Sequence, residues 1–197
     1  MKEYILPAIK LTALSMVLIM GAYTLILLGI NKAIPGTGPD KITYNGKAYY
    51  ANYGQKFTAD KYFWSRPSAI GYNPIPSGGS NKGPNNPELL KTIQARIDTL
   101  LEHNPTIEKS QIPVDMITAS ASGLDPNISA QGAYIQISRI SKVRNIPEKV
   151  LRKLVKKHIE EPFLGLFGPG DYVNVVKLNI VLDKLDEQLA VKVNNQQ

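Results

Sequence analysis

The sequence predicts a mixed α/β (α+β) protein: one N-terminal transmembrane helix, then a single soluble domain with a small β-hairpin, about three helices and a C-terminal core strand. Three observations lead there. The run Leu11–Ile30 (LTALSMVLIMGAYTLILLGI) holds twenty consecutive residues without a charge. The rest of the chain is punctuated by Gly and Pro, and its apolar residues recur at helical spacing in some stretches and alternate in another. An Asn-Gly pair, Asn45-Gly46, stands between the β-prone runs Ile42-Thr43-Tyr44 and Lys47-Ala48-Tyr49-Tyr50.

Each element follows from local chemistry. A helix of twenty residues rises about 30 Å, the thickness of a bilayer's hydrocarbon core. The run is longer than the apolar region of a cleaved signal, and Asn31-Lys32-Ala33-Ile34-Pro35 offers no small-x-small cleavage site, so an uncleaved anchor is expected. Lys2 and Lys10 lie on one side of it and Lys32, Lys41 and Lys47 on the other, so charge alone does not set its orientation. The chain therefore divides into a flank (1–10), a transmembrane helix (11–30), a linker (31–39) containing Pro35-Gly36-Thr37-Gly38-Pro39, and a soluble domain (40–197).

Within that domain, Asn45-Gly46 supplies the two positive-φ positions of a tight hairpin turn. Residues 62–87 are dense in Gly, Pro, Asn and Ser and hold no regular element. Their aromatics (Tyr62, Phe63, Trp64 and Tyr72) give the segment something to bury, which predicts an ordered loop with a binding role. Asn86-Pro87-Glu88 opens a helix whose apolar face is Leu89, Leu90, Ile93, Ile97, Leu100 and Leu101, ended by Asn104-Pro105. Ile112–Thr118 reads as extended. A second helix runs from about Ser129 to Arg144 with Ala133, Ile137 and Ile140 inward. A third begins at Pro147, capped by Asn145, with Val150, Leu151, Leu154 and Val155 inward. After a break at Gly165, Gly168, Pro169 and Gly170, the alternation Val176, Leu178, Ile180, Leu182 predicts the core strand, with a short helix over Asp183–Leu189 and a frayed end.

Composition excludes several chemistries. With no cysteine there is no disulfide, thiolate metal site or Cys nucleophile, and His103 and His158 have no metal-ligand partner at a useful spacing. The net charge is +7, and the segment from Arg139 to Lys157 carries Arg139, Lys142, Arg144, Lys149, Arg152, Lys153, Lys156 and Lys157 against Glu148 alone. Such a cluster suits phosphate or a solvated helix face; no aromatics interleave with it to stack bases, so nucleic acid is not expected. No phosphate-binding P-loop, Gly-x-Ser-x-Gly elbow or Ser-x-x-Lys pair occurs. Asp115 and Asp125 are the one candidate carboxylate pair, each beside turn residues where an Asp commonly caps backbone amides. The Gly/Ser-rich loops Ser77–Gly83 and Ser120–Gly123 are rich in backbone donors, which can hold an anion or pack against another protein.

Several motifs, taken in register, resemble one family. They are Tyr62-Phe63-Trp64-Ser65-Arg66-Pro67-Ser68-Ala69, Ser77-Gly78-Gly79-Ser80-Asn81-Lys82-Gly83-Pro84 with Asn86-Pro87, Pro113-Val114-Asp115 with Thr118-Ala119-Ser120, and Ser122-Gly123-Leu124-Asp125-Pro126 with Ile128-Ser129. Gln136, Arg139, His158, Pro162, Leu164-Gly165, Val173-Asn174-Val175 and Leu178-Asn179 continue the match, so the chain resembles the KdpC family along nearly its whole length. Ala121, Asn127 and Ala130 depart from the family's usual Gly, His and Pro; Ala121 implies that no positive φ is needed there.

The resemblance implies a non-catalytic accessory subunit of an ATP-driven, high-affinity potassium pump, not an enzyme by itself. Its partners would be a channel-like A subunit, an ATP-hydrolysing B subunit and a small F subunit, with lipid around residues 11–30. ATP and potassium would belong to the complex. The family is placed in the bacterial inner membrane as a single-pass protein, N-terminus cytoplasmic and C-terminal domain extracytoplasmic. It is described as needed for assembly and as a catalytic chaperone that raises the B subunit's ATP affinity. Carried onto this chain, Ser77, Gly78, Gly79, Ser80 and Asn81 become a candidate nucleotide or partner contact, and Trp64, Arg66, Asp115, Ser120, Ser122 and Asp125 candidate partner contacts. The competing reading is a stand-alone, membrane-tethered envelope module with a basic face toward lipid or polymer.

Overall fold

The computed structural model describes residues 2–33, 41–75, 77–162, 165 and 170–194, and it separates into two units, Met1–Asp40 and Lys41–Gln197. Of the expected linker (31–39), residues 31–33 belong to the helix ending at Ala33, while 34–39, with Gly168 and Pro169 of the expected break, lie outside the described residues.

The first unit is one helical rod: α1 (Lys2–Met16), a π-helical stretch (Val17–Tyr23) and α2 (Thr24–Ala33). Tyr4–Ala33 is long and apolar enough to cross a membrane, with mean hydropathy 2.2 over its most apolar window and none of that window buried by protein. Its thirty residues exceed the predicted 11–30 at both ends.

The second unit begins with the expected hairpin, β1 (Lys41–Tyr44) and β2 (Lys47–Tyr50), closed by Asn45 at φ 48° and Gly46 at φ 73°. No helix or multi-residue strand forms among the described residues from there to α3 (Pro87–His103). Asn86 caps α3, its Oδ1 accepting from the Glu88 and Leu89 amides. Where an extended segment was expected at 112–118, the chain makes 3-10 turns at Lys109–Gln111 and Val114–Met116. The second predicted helix is two: β3 (Asn127–Ser129) leads into α4 (Ala130–Tyr134), then α5 (Ile137–Arg144). Asn145 does not cap the next helix. It ends α5 in the left-handed region at φ 54°, its amide donating to the Ser141 carbonyl, and Pro147 precedes α6 (Glu148–Lys157). Val150, expected inward, is exposed, while Leu151 and Val155 are buried.

The predicted C-terminal strand is the principal correction. β5 covers only Tyr172–Asn174; Val175 already begins α7 (Val175–Asn194), which absorbs the short helix expected at 183–189. β5 is the centre of a three-stranded antiparallel sheet, ordered β3-β5-β4, with β4 at Ile159–Glu160. Asn174 makes the switch, its Oδ1 accepting from the Lys177 amide while its Nδ2 donates to the Ala51 carbonyl. On α7 the buried residues Val175, Val176, Leu178, Asn179, Ile180 and Leu182 make a broad helical face, with Val175, Leu178, Asn179 and Leu182 at i, i+3, i+4 and i+7 and Asn179 its one polar residue. Because the face is broad, Val176, Leu178, Ile180 and Leu182 are all buried on it and also fit a period-two pattern. The core joins this face to Phe63, Ile128, Ile137, Ile140 and Leu151.

The hairpin is tied to α7 by polar contacts: Tyr44 Oη donates to Glu187 Oε1 at 2.6 Å and Asn45 Nδ2 to the same oxygen at 3.2 Å. The Glu187 hydrogen bond pushes the Tyr44 phenol up to about 12, and the hydrogen bonds from Tyr44 and Asn45 hold the Glu187 carboxyl below its ordinary value. Folded Tyr44 thus binds its proton more tightly than the unfolded chain does. Its contribution is full below about pH 10 and is lost as pH rises toward 12. Glu187 acts oppositely, contributing above the ordinary carboxylate range and losing that contribution as pH falls through its folded value. Titration of Cζ-labelled tyrosine by NMR is expected to place Tyr44 near 12, with the hairpin signals shifting in step. A Tyr44 midpoint near 10 would mean that the contact does not persist in solution.

Candidate functional site

The predicted loops meet across long sequence separations. Arg66 Nη1 lies 2.9 Å from Asp125 Oδ2, and Arg66 Nε reaches the Thr118 carbonyl at 3.4 Å. Ser68 and Ser120 form a parallel bridge: the Ala69 amide donates to Ser120 O at 2.9 Å and the Ser120 amide to Pro67 O at 2.8 Å. Ser120 Oγ accepts from the Ser122 amide and Ser122 Oγ from the Leu124 amide, so both hydroxyls shape the turn. A third strand of chain enters at Gly54, whose amide donates to Gly123 O at 2.8 Å. The two glycines are dictated by proximity: a Cβ on Gly123 would sit 2.4 Å from the Asn73 carbonyl group, and one on Gly54 2.9 Å from Asp125 O. The result is a stitched platform of the 66–74 and 118–126 loops, with the Arg66–Asp125 pair partly exposed on it. Ala121 has no positive φ.

A polar cluster anchors this platform at Trp64. The Trp64 amide donates to Gln136 Oε1 at 2.7 Å, the Arg139 guanidinium stacks 4.2 Å over the indole, and the His103 ring meets its edge. Arg139 Nη2 donates to Gln136 Oε1 and to Tyr62 O, while its Nε and Nη1 are buried without a hydrogen-bond partner. Burial lowers its pKa to about 10, opposed by Asp60, whose Oδ1 is 3.9 Å from Nη1 and 2.8 Å from His103 Nδ1. Next to it, Asn179 Oδ1 accepts from the Phe63 amide and Asn179 Nδ2 donates to Phe63 O, both at 2.9 Å.

The other predicted residues stand apart. Asp115 Oδ2 accepts from the Ser129 amide at 2.7 Å and its Oδ1 from Ser129 Oγ, fixing the start of α4. Asp115 and Asp125 therefore each serve their own partners, with Asp125 Oδ1 accepting from the Asn127 amide. Ser77, Gly79, Ser80 and Asn81 are exposed and Gly78 half-buried; Ser77 Oγ bonds to Pro74 O, and Asn81 takes φ 53°. Among the hollows of the second unit, one of about 400 Å³ lies between α3 and the 56–72 loop, lined by Phe57, Trp64, Tyr72, Arg96 and Met116. Two more, of about 440 and 220 Å³, lie by Tyr134 and Arg152 and by His158 and Lys177. Among the described residues no group of three or more His, Asp or Glu is placed to hold a metal.

This arrangement binds loops to one another rather than assembling reactive groups, and the comparisons with known proteins agree with a subunit. The model of the family described as "KdpC: K+-transporting ATPase, c chain" matches residues 5–184. A "Potassium-transporting ATPase KdpC subunit" of Bacteroides fragilis (strain YCH46) is 46% identical over 186 residues, covering 92% of this chain and 97% of that protein. The protein of the same description from Flavobacterium johnsoniae is 48% identical over 179 residues, covering 90% and 96%. One from Bacillus cereus (strain Q1) is 41% identical over 183 residues. The chain belongs to the KdpC family. It is an accessory subunit of the Kdp potassium-transporting ATPase, membrane-associated and carrying one candidate membrane helix, and not the catalytic chain.

As a KdpC chain it holds its 62–64 segment with polar side chains that residue-level reading left without a role. Gln136, Arg139 and Asn179 lie within matched motifs, yet nothing in their neighbourhoods announces that they pair with the backbone at 62–64, up to 116 residues away. The usable signal was polarity beside apolar neighbours: Arg139 and Asn179 on otherwise apolar helix faces and Gln136 in the turn between α4 and α5.

Proposed function

We propose that the soluble domain rests on the extracytoplasmic side of the A subunit and stabilises the assembled pump, with the N-terminus cytoplasmic and Tyr4–Ala33 crossing the inner membrane. The observation that carries this reading is the stitched platform: Arg66, Ser120, Ser122 and Asp125 hold a fixed, partly exposed surface, as protein recognition requires. Trp64 supports that surface from beneath, and Asp115 fixes the neighbouring helix start.

For Ser77–Asn81, protein contact is the better-supported role. Ser77, Gly79, Ser80 and Asn81 are exposed, as a surface contact requires. A direct nucleotide contact would also require the domain to share a compartment with ATP, which a single-span chain facing outward does not. A rise in the B subunit's ATP affinity would then pass through assembly rather than through this loop. Near a potassium entrance lysines would repel the cation, so the exposed cations of α6 are expected to face away from the pore.

The test is potassium-stimulated ATP hydrolysis by co-expressed A, B and C subunits, with and without this chain. Loss of assembly together with activity is the expected result. An assembled pump with only a raised KM for ATP would favour the catalytic-chaperone role. A fully active, assembled pump lacking the chain would overturn the stabilising role.

A further inference from the structure

The eight cations between Arg139 and Lys157 do not form one surface. Arg139 is buried against Trp64, and Arg144 is taken up by Asp183 at 2.6 Å and by Asp186. Lys142 is exposed on α5, and the remaining five, Lys149, Arg152, Lys153, Lys156 and Lys157, are all exposed on α6. At 3.6 residues per turn they fall within an arc of about 140°, opposite Leu151, Leu154 and Val155. Glu148 is the helix's sole acid; it lies off the stripe and engages Arg152 alone, at 3.7 Å. Among the described residues Lys149, Lys153, Lys156 and Lys157 have no ion-pair partner. By contrast Arg66, Lys82, Arg139 and Arg144 each have an acidic neighbour.

We propose that this stripe docks on the anionic phospholipid headgroups of the bilayer in which the chain is anchored. Four of the five cations are lysines, flexible point charges that suit phosphate oxygens at variable positions better than a fixed carboxylate fork does. Clusters of four to eight lysines and arginines on an amphipathic helix, such as α6 presents, are a usual form of a lipid-headgroup site. The soluble unit begins at Lys41, after Tyr4–Ala33 and a connection of residues 34–40, so the bilayer is presented to it at an effective concentration of roughly millimolar order. Individually weak lysine contacts therefore suffice, and no pocket is needed. The inference needs the membrane anchor but not the subunit role.

The chain has no cysteine, so Val150→Cys, at an exposed position beside the stripe, gives one labelling site for bimane. The full chain is placed in nanodiscs containing a headgroup-borne nitroxide quencher, either in phosphatidylcholine alone or with about one-third phosphatidylglycerol. Quenching is expected to rise about twofold with the anionic lipid and to fall back at about 0.5 M salt. It should also fall back in K149E/K153E/K156E, whose thermal melt stays unchanged because these positions are exposed and unpaired. K149Q/K153Q/K156Q is expected to lie between, which separates lost attraction from repulsion. Equal quenching in neutral and anionic discs, or quenching indifferent to the charge reversals, would overturn the proposal. Shielding of the label only when the A and B subunits are present, in neutral lipid as well, would assign the stripe to an acidic protein surface instead.

Discussion

Replacing Gly123 with alanine is expected to destabilise the soluble domain by about 3 kcal/mol, the upper range for inserting a methyl group into a packed site. The new Cβ would lie 2.4 Å from both C and O of Asn73 and 2.6 Å from Pro74 N. All three are backbone atoms, so no side-chain rotation relieves the overlap. Either the 66–74 loop retreats, breaking the Ser68–Ser120 bridge, or Gly123 retreats and loses the Gly54 amide. At roughly 2–4 °C per kcal/mol for a domain of this size, the melting temperature should fall by about 6–12 °C. Gly79→Ala is the control: its Cβ would meet nothing nearer than 3.5 Å, so its melt should match the parent's. Pump assembly measured on both variants separates two kinds of glycine. Lost assembly in G123A with a lowered melt reports the platform's integrity, whereas lost assembly in a stable G79A would report a contact at Ser77–Asn81. An unchanged melt for G123A would mean that the loops are not held together in solution.

How much could be read from sequence depended on whether the determining contact was local. The hairpin was legible because Asn45-Gly46 sets the turn by itself, and α3 because Asn86-Pro87-Glu88 cap and start it without help from elsewhere. Asn145 was misassigned because one asparagine between two helices can cap the second or end the first; its positive φ, invisible in sequence, decides for the first. The 112–118 segment carries β-prone residues yet turns, since Thr118 folds back to bond Val114 O through both its amide and its hydroxyl. At the site, the fold brings Arg66, Ser120 and Asp125 together, next to Trp64 and its cluster. Spacing alone could not pair Arg66 with Asp125 across 59 residues, nor bring Gly54 against Gly123. The basic segment was misleading for a related reason. Charge counted along the chain does not tell Arg139 and Arg144, turned inward, from the lysines of α6.

Asn179→Leu tests the contact between α7 and Phe63. Leucine keeps the approximate volume on the buried face of α7 but can neither accept from the Phe63 amide nor donate to its carbonyl, bonds of 2.9 Å each. Asn179 is 2% exposed and Phe63 fully buried, so water cannot readily replace the lost partner. Each orphaned backbone group costs about 1–3 kcal/mol, partly offset by the added apolar surface, for a net loss of about 3 kcal/mol. The location of the damage distinguishes this from a generic core defect. Phe63 leads directly into Trp64, the chain's one tryptophan, whose indole lies between Arg139 and His103. Loosening Phe63 should therefore shift Trp64 emission to the red well below the melting temperature. Leu178→Ala is the matched comparison, a fully buried neighbour on the same helix whose truncation costs about 2–5 kcal/mol by leaving a cavity. Its Trp64 emission should stay at the parent value until global unfolding. If N179L were as stable as the parent with unshifted emission, Phe63 would have other partners, and the pairing of α7 with the 62–69 loop would not be what holds the platform in position.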